Sequence, residues 1–350
     1  MSLYAYTIDK SQEWDEIVRT FKAYDVYYLS GYVKAFQIHG DGEPMLFYYN
    51  NGSVKGINVV MKRDIADDAY FYDKIEPKTF FDFITPYGYG GWIIEGEGDT
   101  EGLFSEYYKW CSDNNVVSEF VRYHPMLENV EYSKDFYDVT VLGNTIAMDL
   151  SSPEVIWANL TSKNRNMVRK AEKSGIQIYR GQFPGIYKTF KEIYNQTMDS
   201  DNAKEYYYFG DEFYDSIIND LSNEAQIFWA EVDGKIVATS IMISANGFMN
   251  YHLSGSLREY QSLAPSNLLL YKAALWGCQN GYKSLHMGGG VGSKEDSLFK
   301  FKSAFNRYET HQFAIGKKIY MDEAYVSLSR IKQIEGEINF FPIYRANKTC

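Results

Sequence analysis

Three cysteines and five histidines are spread thinly through 350 residues, and no two of either stand at the spacing of a metal-binding pair. Structural zinc and iron–sulfur centres need such pairs, so neither is expected. Cys111, Cys278 and Cys350 read as buried or idle thiols of a reducing compartment. No run of about 18 apolar residues occurs, so no membrane-spanning helix is expected. The opening residues, MSLYAYTIDKSQEW, lack the basic and apolar stretches of a signal peptide, and a cytoplasmic location is expected. Ser, Cys and His form no nucleophile-elbow pattern, which leaves covalent catalysis without support. Positive charge is scarce in the first half. Residues 1–150 hold 12 Lys and Arg against 25 Asp and Glu, whereas residues 151–350 hold 23 against 21. Such a chain does not coat nucleic acid by bulk electrostatics, and an anionic partner has to be met locally, in the second half.

What is abundant is apolar and aromatic surface, 45% and 17% of the residues, enough for two domain cores. Apolar runs at 45–49 and 54–61 flank Asn51-Gly52, and runs at 226–232 and 235–243 flank Asp233-Gly234. Each pair predicts a β-hairpin whose two turn residues take positive φ. After each hairpin come a helix, an Asn-containing break and a strand: YYKWCSDNNVVSEFVRYHP from Tyr107 and LYKAALWGCQNGYKSLHMG from Leu270. The repetition predicts a duplicated α/β unit, with mixed sheets covered by helices. The domains are expected at 1–150 and 151–316, with a tail from about 317 to 350 packing back on the first. Ser152 as N-cap and Pro153 at the first helical position open a long helix, broken near Leu160-Thr161 and stopped at Gly175.

Five stretches are candidate sites. On the junction helix Arg165, Arg169 and Lys173 recur every four residues, as a solvated ridge or as a surface for the phosphates of a nucleotide-linked substrate or tRNA. DFITPYGYGGW (82–92) is a loop in which Tyr87 and Tyr89 are placed to wall a pocket. Tyr206-Tyr207-Tyr208 are core aromatics or a substrate platform. HMGGGVGSKED (286–296) reads Gly-Ser-Lys where a P-loop needs Gly-Lys-Ser/Thr, so it is not one. The fifth, DSLFKFKSAFN (296–306), sets two lysines among three phenylalanines. Ser293-x-x-Asp296 resembles a capping box and predicts a helix start. At about 100° per residue from Leu298, Phe301 and Phe305 fall at about 300° and 340°, Phe299 at about 100°, Lys302 at about 40° and Lys300 at about 200°. Lys302 thus faces inward, and it either snorkels out along its stem or meets an anion in a cleft.

TPYGYGG, LTSKNRNMVRKAEKSGI, SLHMGGG and LFKFKSAFN occur here in the order seen in Fem-type proteins, and the sequence resembles that family over most of residues 80–320. The resemblance implies two tandem acetyltransferase-like (GNAT-like) domains and no metal or redox cofactor. It implies transfer of an aminoacyl group, donated by aminoacyl-tRNA, to an amine of a cell-wall precursor. Lys302 matches the family's lysine that contacts the anionic end of substrate or intermediate, with Phe301 beside it. Lys34, in SGYVKAF, matches a precursor-phosphate contact, and the aromatic loops would shape an acceptor channel. The family's tRNA-binding helical arm has no room between Ser174 and Ala225. The rival is an N-acyltransferase that uses acyl-CoA on an amino sugar or surface-polysaccharide precursor. Its pyrophosphate loop would fall at REYQSLAPS (258–266), where no glycine occurs and Gln261-x-x-Ala264 is the nearest fit. A third reading is a non-catalytic binding relative.

Overall fold

The computed structural model describes residues 2–332 and 340–346. The chain divides into two compact units, 1–142 with 313–350 and 143–312. These divisions lie a few residues before the expected 150/151 and 316/317, because each falls inside a strand, Asp138–Asp149 and His311–Ile319.

The chain begins with β1 (Leu3–Thr7), α1 (Ser11–Arg19), α2 (Ser30–His39), β2 (Glu43–Asn50) and β3 (Val54–Asp64). It continues with β4 (Phe81–Ile84), β5 (Ile93–Gly96), α3 (Glu101–Asp113) and β6 (Val116–Arg122). Next come β7 (Asp138–Asp149), α4 (Pro153–Asn159), α5 (Ser162–Lys173), β8 (Gln177–Gly181), α6 (Pro184–Ser200) and α7 (Asp211–Asp220). Then follow β9 (Ala225–Val232), β10 (Lys235–Ala245), β11 (Phe248–Ser256), α8 (Pro265–Gln279), β12 (Ser284–Gly288) and α9 (Ser297–Ser303). β13 (His311–Ile319) and α10 (Asp322–Lys332) complete the series.

The first unit orders its strands β1-β2-β3-β4-β6-β13, with β5 on β3, and the second β8-β9-β10-β11-β12-β7. In both, an antiparallel meander leads to one parallel pair, β4 with β6 and β11 with β12, joined by a helical crossover through α3 or α8. The sixth strand then runs antiparallel, β13 on β6 and β7 on β12. The duplication visible in the sequence is therefore a duplication of topology.

Local chemistry explains the elements. In the second hairpin both Asp233 and Gly234 have positive φ, as the two-residue turn requires; in the first only Gly52 does, because Asn51 closes a longer turn by bonding to Val54. Ser152 caps α4 through Val155 N (3.2 Å). The backbone then turns extended at Leu160, and Thr161 starts α5 by accepting from Asn164 N (3.2 Å). α8 is buried on most of its circumference, with Leu268, Leu269, Leu270, Ala273 and Ala274 in the second unit's core. Among the described residues no helix is long and apolar enough to cross a membrane, and no cluster of His, Cys, Asp or Glu could hold a metal ion. Cys111 is buried and Cys278 half-buried, both as free thiols, and Cys350 lies outside the described residues.

Candidate active site

The second unit's parallel ladder is short. β11 and β12 pair only from Phe248/Ser284 to Asn250/His286. Beyond that point β11 stays with β10 as far as Ser256, and β12 stays with β7 as far as Gly288. Two neighbouring strands with different partners must part, and a notch opens between their C-terminal ends. A register shift lies beside it, where Ile241 pairs Leu253 but Met242 pairs Tyr251, leaving His252 as the extra residue of a bulge. Burial pushes the His252 imidazole down to about 3, so it is neutral at ordinary pH.

A cavity of about 340 Å³ occupies this region. β10 contributes Thr239 and Ser240, β11 contributes Tyr251 and Ser254, and α9 contributes Leu298 and Phe301. Ala264 to Asn267, the start of α8, close one end. The Thr239 hydroxyl is buried without a hydrogen-bond partner among the described residues. Tyr251 is tied to Ser254 by a 2.6 Å hydrogen bond.

The first turn of α8 carries backbone donors outside the helical ladder. Pro265 takes the first helical position, no side chain caps the helix, and the first-turn N–H groups of Ser266 and Asn267 have no place in the helical ladder. Ala264 at the N-cap sits in the left-handed region (φ 59°, ψ 44°), a conformation that costs an alanine roughly 1–2 kcal/mol and that glycine adopts freely. The missing glycine of REYQSLAPS is therefore replaced in conformation by Ala264.

Asn164 holds the surrounding helices together. Its Oδ1 accepts from Asn267 Nδ2 (2.8 Å) and its Nδ2 donates to the Ala304 carbonyl (3.2 Å), linking α5, α8 and the end of α9. In TSKNRNMVRK the residue that reaches the cavity wall is thus the asparagine. Arg165 donates to the Leu160 carbonyl (2.7 Å), with weaker approaches to Trp157 and Ala158, and so closes the C-terminus of α4. Arg169 is exposed and lies over the Trp157 ring at 5.1 Å.

α9 begins one turn later than the capping box implied. Asp296 itself is the N-cap, accepting from Phe299 N (2.9 Å), while Ser293 stands outside the helix at φ 61°. Asp296 also accepts from Val291 N, folding the glycine loop onto its own helix. At Gly290 a Cβ would lie 2.0 Å from the Lys294 carbonyl, so this glycine serves close packing. Helical phase holds for the lysines, with Phe299, Lys302 and Phe305 buried and Lys300 exposed, but Leu298, expected on the inward stripe, is exposed. Lys302 does not snorkel out, and among the described residues it makes no ion pair. It is 9% exposed, and its Nζ donates to the Gly289 carbonyl, just past β12, at 2.7 Å. Burial lowers its pKa to about 8, opposed by the Asp296 carboxylate.

Of the residues singled out from the sequence, Phe301 lines the cavity, whereas Lys302, its neighbour on α9, is not one of the lining residues. Tyr206 and Tyr207 meet edge to face, and Tyr208 donates to Asp199 (2.8 Å). Lys34, Tyr87 and Tyr89 belong to the first unit. There the TPYGYGG loop is clamped through its carbonyls: Tyr32 donates to Tyr87, Tyr28 to Gly91, and Arg122 to Thr85, Pro86 and Gly88. Tyr87 stacks on Phe36, and Tyr89 packs against Tyr27, His124 and Phe313. Tyr32 and Phe36 thus share the face of α2 that meets Tyr87, and Lys34, two residues from each, projects from the opposite side. Sequence reasoning missed Thr239, Ser240, Asn164 and Asn267. The signal available for the first two was a polar pair in the middle of the buried strand IVATSIMIS.

Residues 161–302 match the family described as "Acetyltransferase (GNAT) domain". No curated protein matches the chain. Among solved structures, FemX superposes with a TM-score of 0.66 at 13% identity, over 93% of this chain and 99% of its own. The C-terminal domain of a putative lysylphosphatidylglycerol synthetase from Agrobacterium fabrum gives 0.56 at 13% identity, covering 95% and 98%. A conserved protein of unknown function from Bacteroides thetaiotaomicron gives 0.56 at 11%, covering 91% and 100%. Identities this low establish a shared fold. At that level the Fem-type resemblance holds, as does the expectation of tandem GNAT-like units with mixed α/β sheets, and residues 161–302 form an acyltransferase-type domain.

Proposed function

We propose that this chain is an acyltransferase of the Fem type, which joins an acyl or aminoacyl group to an amine of a cell-envelope precursor. The observation that carries the reading is the cavity against β10 and the C-terminal half of β11, where the β11–β12 ladder has ended, closed at one end by the uncapped start of α8. A helix N-terminus of this kind suits a phosphate of the donor's carrier, and the bulge beside it suits the acyl carbonyl. The amine nitrogen forms its bond to the carbonyl carbon, the carrier leaves as alcohol or thiol, and the amine's proton passes to solvent or a base. The chain contributes positioning and charge stabilisation. Lys302, with one donor hydrogen on Gly289 and two without a partner among the described residues, is proposed to hold the oxyanion or a substrate carboxylate. Fold similarity to FemX along 93% of the chain supports a cell-envelope acceptor.

One observation favours a second reading, with acyl-CoA as donor and an amino sugar as acceptor. Ala264 supplies the left-handed turn that a pyrophosphate-binding loop needs, and residues 174–225 hold β8, α6 and α7 where the family's tRNA-binding arm would stand. A thermal-shift screen against CoA thioesters, UDP-amino sugars and UDP-muropeptides separates the readings, because a specific ligand raises apparent stability. A shift with CoA alone favours the second, and one with muropeptides favours the first. No shift with any of them removes both and leaves the non-catalytic relative, which a buried Lys302 on the helix that lines the cavity with Leu298 and Phe301 otherwise opposes.

A further inference from the structure

The first unit concentrates positive charge at one place, against the acidic balance of its sequence. Asp82, fully buried on β4, accepts from Arg63 Nε (2.8 Å) on one oxygen and from Arg345 Nε (2.9 Å) on the other. Asp82 thus serves two guanidiniums, and Arg345 also approaches the Asp68 carboxylate at 3.6 Å. Arg122, at the end of β6, donates to three backbone carbonyls, of Thr85, Pro86 and Gly88, and meets no carboxylate among the described residues. The Lys317 side chain on β13 makes no hydrogen bond or ion pair among the described residues.

All four cations line one cavity of about 360 Å³, and among the described residues no acidic side chain lines it. Its remaining walls are apolar, from Ile84, Phe120, Leu142, Ile315, Phe340 and Phe341. Leu142 and Phe340 are each 45% exposed, a large apolar surface to leave beside unneutralised charge. Arg63 and Arg345 are paired with carboxylates, but Arg122 and Lys317 add positive charge beside them without one among the described residues. Cations brought together repel one another and lose hydration as the walls close on them, a cost that a bound anion relieves. Guanidinium forks suit phosphate or carboxylate oxygens, whereas the apolar walls suit hydrocarbon. The volume lies at the lower end of the roughly 300–1,000 Å³ of small-molecule sites.

We propose that this cavity binds an amphipathic oxyanion, a phosphate or carboxylate borne on a short hydrocarbon chain or ring. The head is held among Arg63, Arg122, Lys317 and Arg345, and the body lies against Phe120, Leu142 and Phe340. The site belongs to the first unit and does not depend on which donor the second unit uses.

Isothermal titration of the full chain with octyl phosphate, octanoate, 1-octanol and inorganic phosphate tests this. Saturable one-to-one binding of octyl phosphate or octanoate is expected, at least tenfold tighter than octanol or inorganic phosphate. Lys317→Glu, at a half-buried position with no partner to lose, should weaken that binding at least tenfold, and Lys317→Arg should retain it. The proposal is overturned by absence of binding to either amphiphile, by octanol or inorganic phosphate binding as tightly, or by undiminished binding to a folded Lys317→Glu.

Discussion

Lys302 donates to the carbonyl oxygen of Gly289 at 2.7 Å, so a buried ammonium is oriented by a neutral acceptor and keeps hydrogens for a further partner. Replacing it with methionine removes the charge while keeping the stem's volume. Lys302→Met should fold with an undiminished melting temperature and lose transfer by a factor of about 10²–10³, the scale of removing one oxyanion donor. Full activity in the folded variant would remove Lys302 from the mechanism.

The same lysine predicts a pH signature. Its pKa in the folded chain, about 8, lies below the value near 10.5 of an exposed lysine, so the unfolded chain binds more protons between those values. Burying the charged form costs on the order of 3 kcal/mol, fully felt below pH 8 and relieved as pH rises toward 10.5. Wild-type stability should therefore gain on Lys302→Met across that window in denaturant titrations at pH 7.5, 9 and 10.5. A difference that stays constant with pH contradicts the burial of a charged Lys302. Transfer that depends on the protonated form should decline as pH passes about 8.

Glu119 is fully buried on β6, where Tyr107, Tyr137 and Tyr320 donate to its Oε2 and Asn58 donates to its Oε1. Burial outweighs these bonds and raises its pKa. A carboxyl whose folded pKa is raised stabilises fully below its unfolded value and loses that contribution as pH rises through the folded one. Glu119→Gln should flatten this part of the stability profile above pH 4. Glu119→Ala, which strands three hydroxyls around a cavity, should cost about 3 kcal/mol or more. A profile for Glu119→Gln that parallels wild type would refute the shift.

Ala264 tests the anion site at α8. Ala264→Gly accepts the left-handed turn without strain and should keep ligand binding and stability within about 1 kcal/mol. Ala264→Val places a β-branched residue in that turn and against the cavity. It should weaken binding of a phosphate-bearing donor at least tenfold by calorimetry, with the fold checked by circular dichroism. Equal affinities for the two variants would move the donor elsewhere.

Much of this was legible in the sequence, for identifiable reasons. Period and turn chemistry located the hairpins, the crossover helices and the break at Leu160-Thr161, because these are local. Helical phase also placed Lys302 inward and Lys300 outward, since a seven-residue helix with two phenylalanines, followed by a third at Phe305, has one stripe to bury. What depends on long-range pairing was hidden. The basic spacing of Arg165 gave no hint that its guanidinium closes α4, and Asn164 looked unremarkable until α8 and α9 were folded against it. Ala264 read as the absence of glycine, because composition does not report φ. Ser293 was taken for a cap when Asp296, three residues on, holds the helix start.

The central claim is that the second unit moves an acyl group from a carrier onto an amine. A mass-spectrometric transfer assay tests it most directly, with acyl-CoA thioesters and aminoacyl-tRNA as donors and UDP-muropeptides and UDP-amino sugars as acceptors. The account predicts a new amide on an acceptor amine with one donor class, strongly reduced in Lys302→Met and in Ala264→Val. No product from any pairing with folded protein, or product undiminished in both variants, would contradict it.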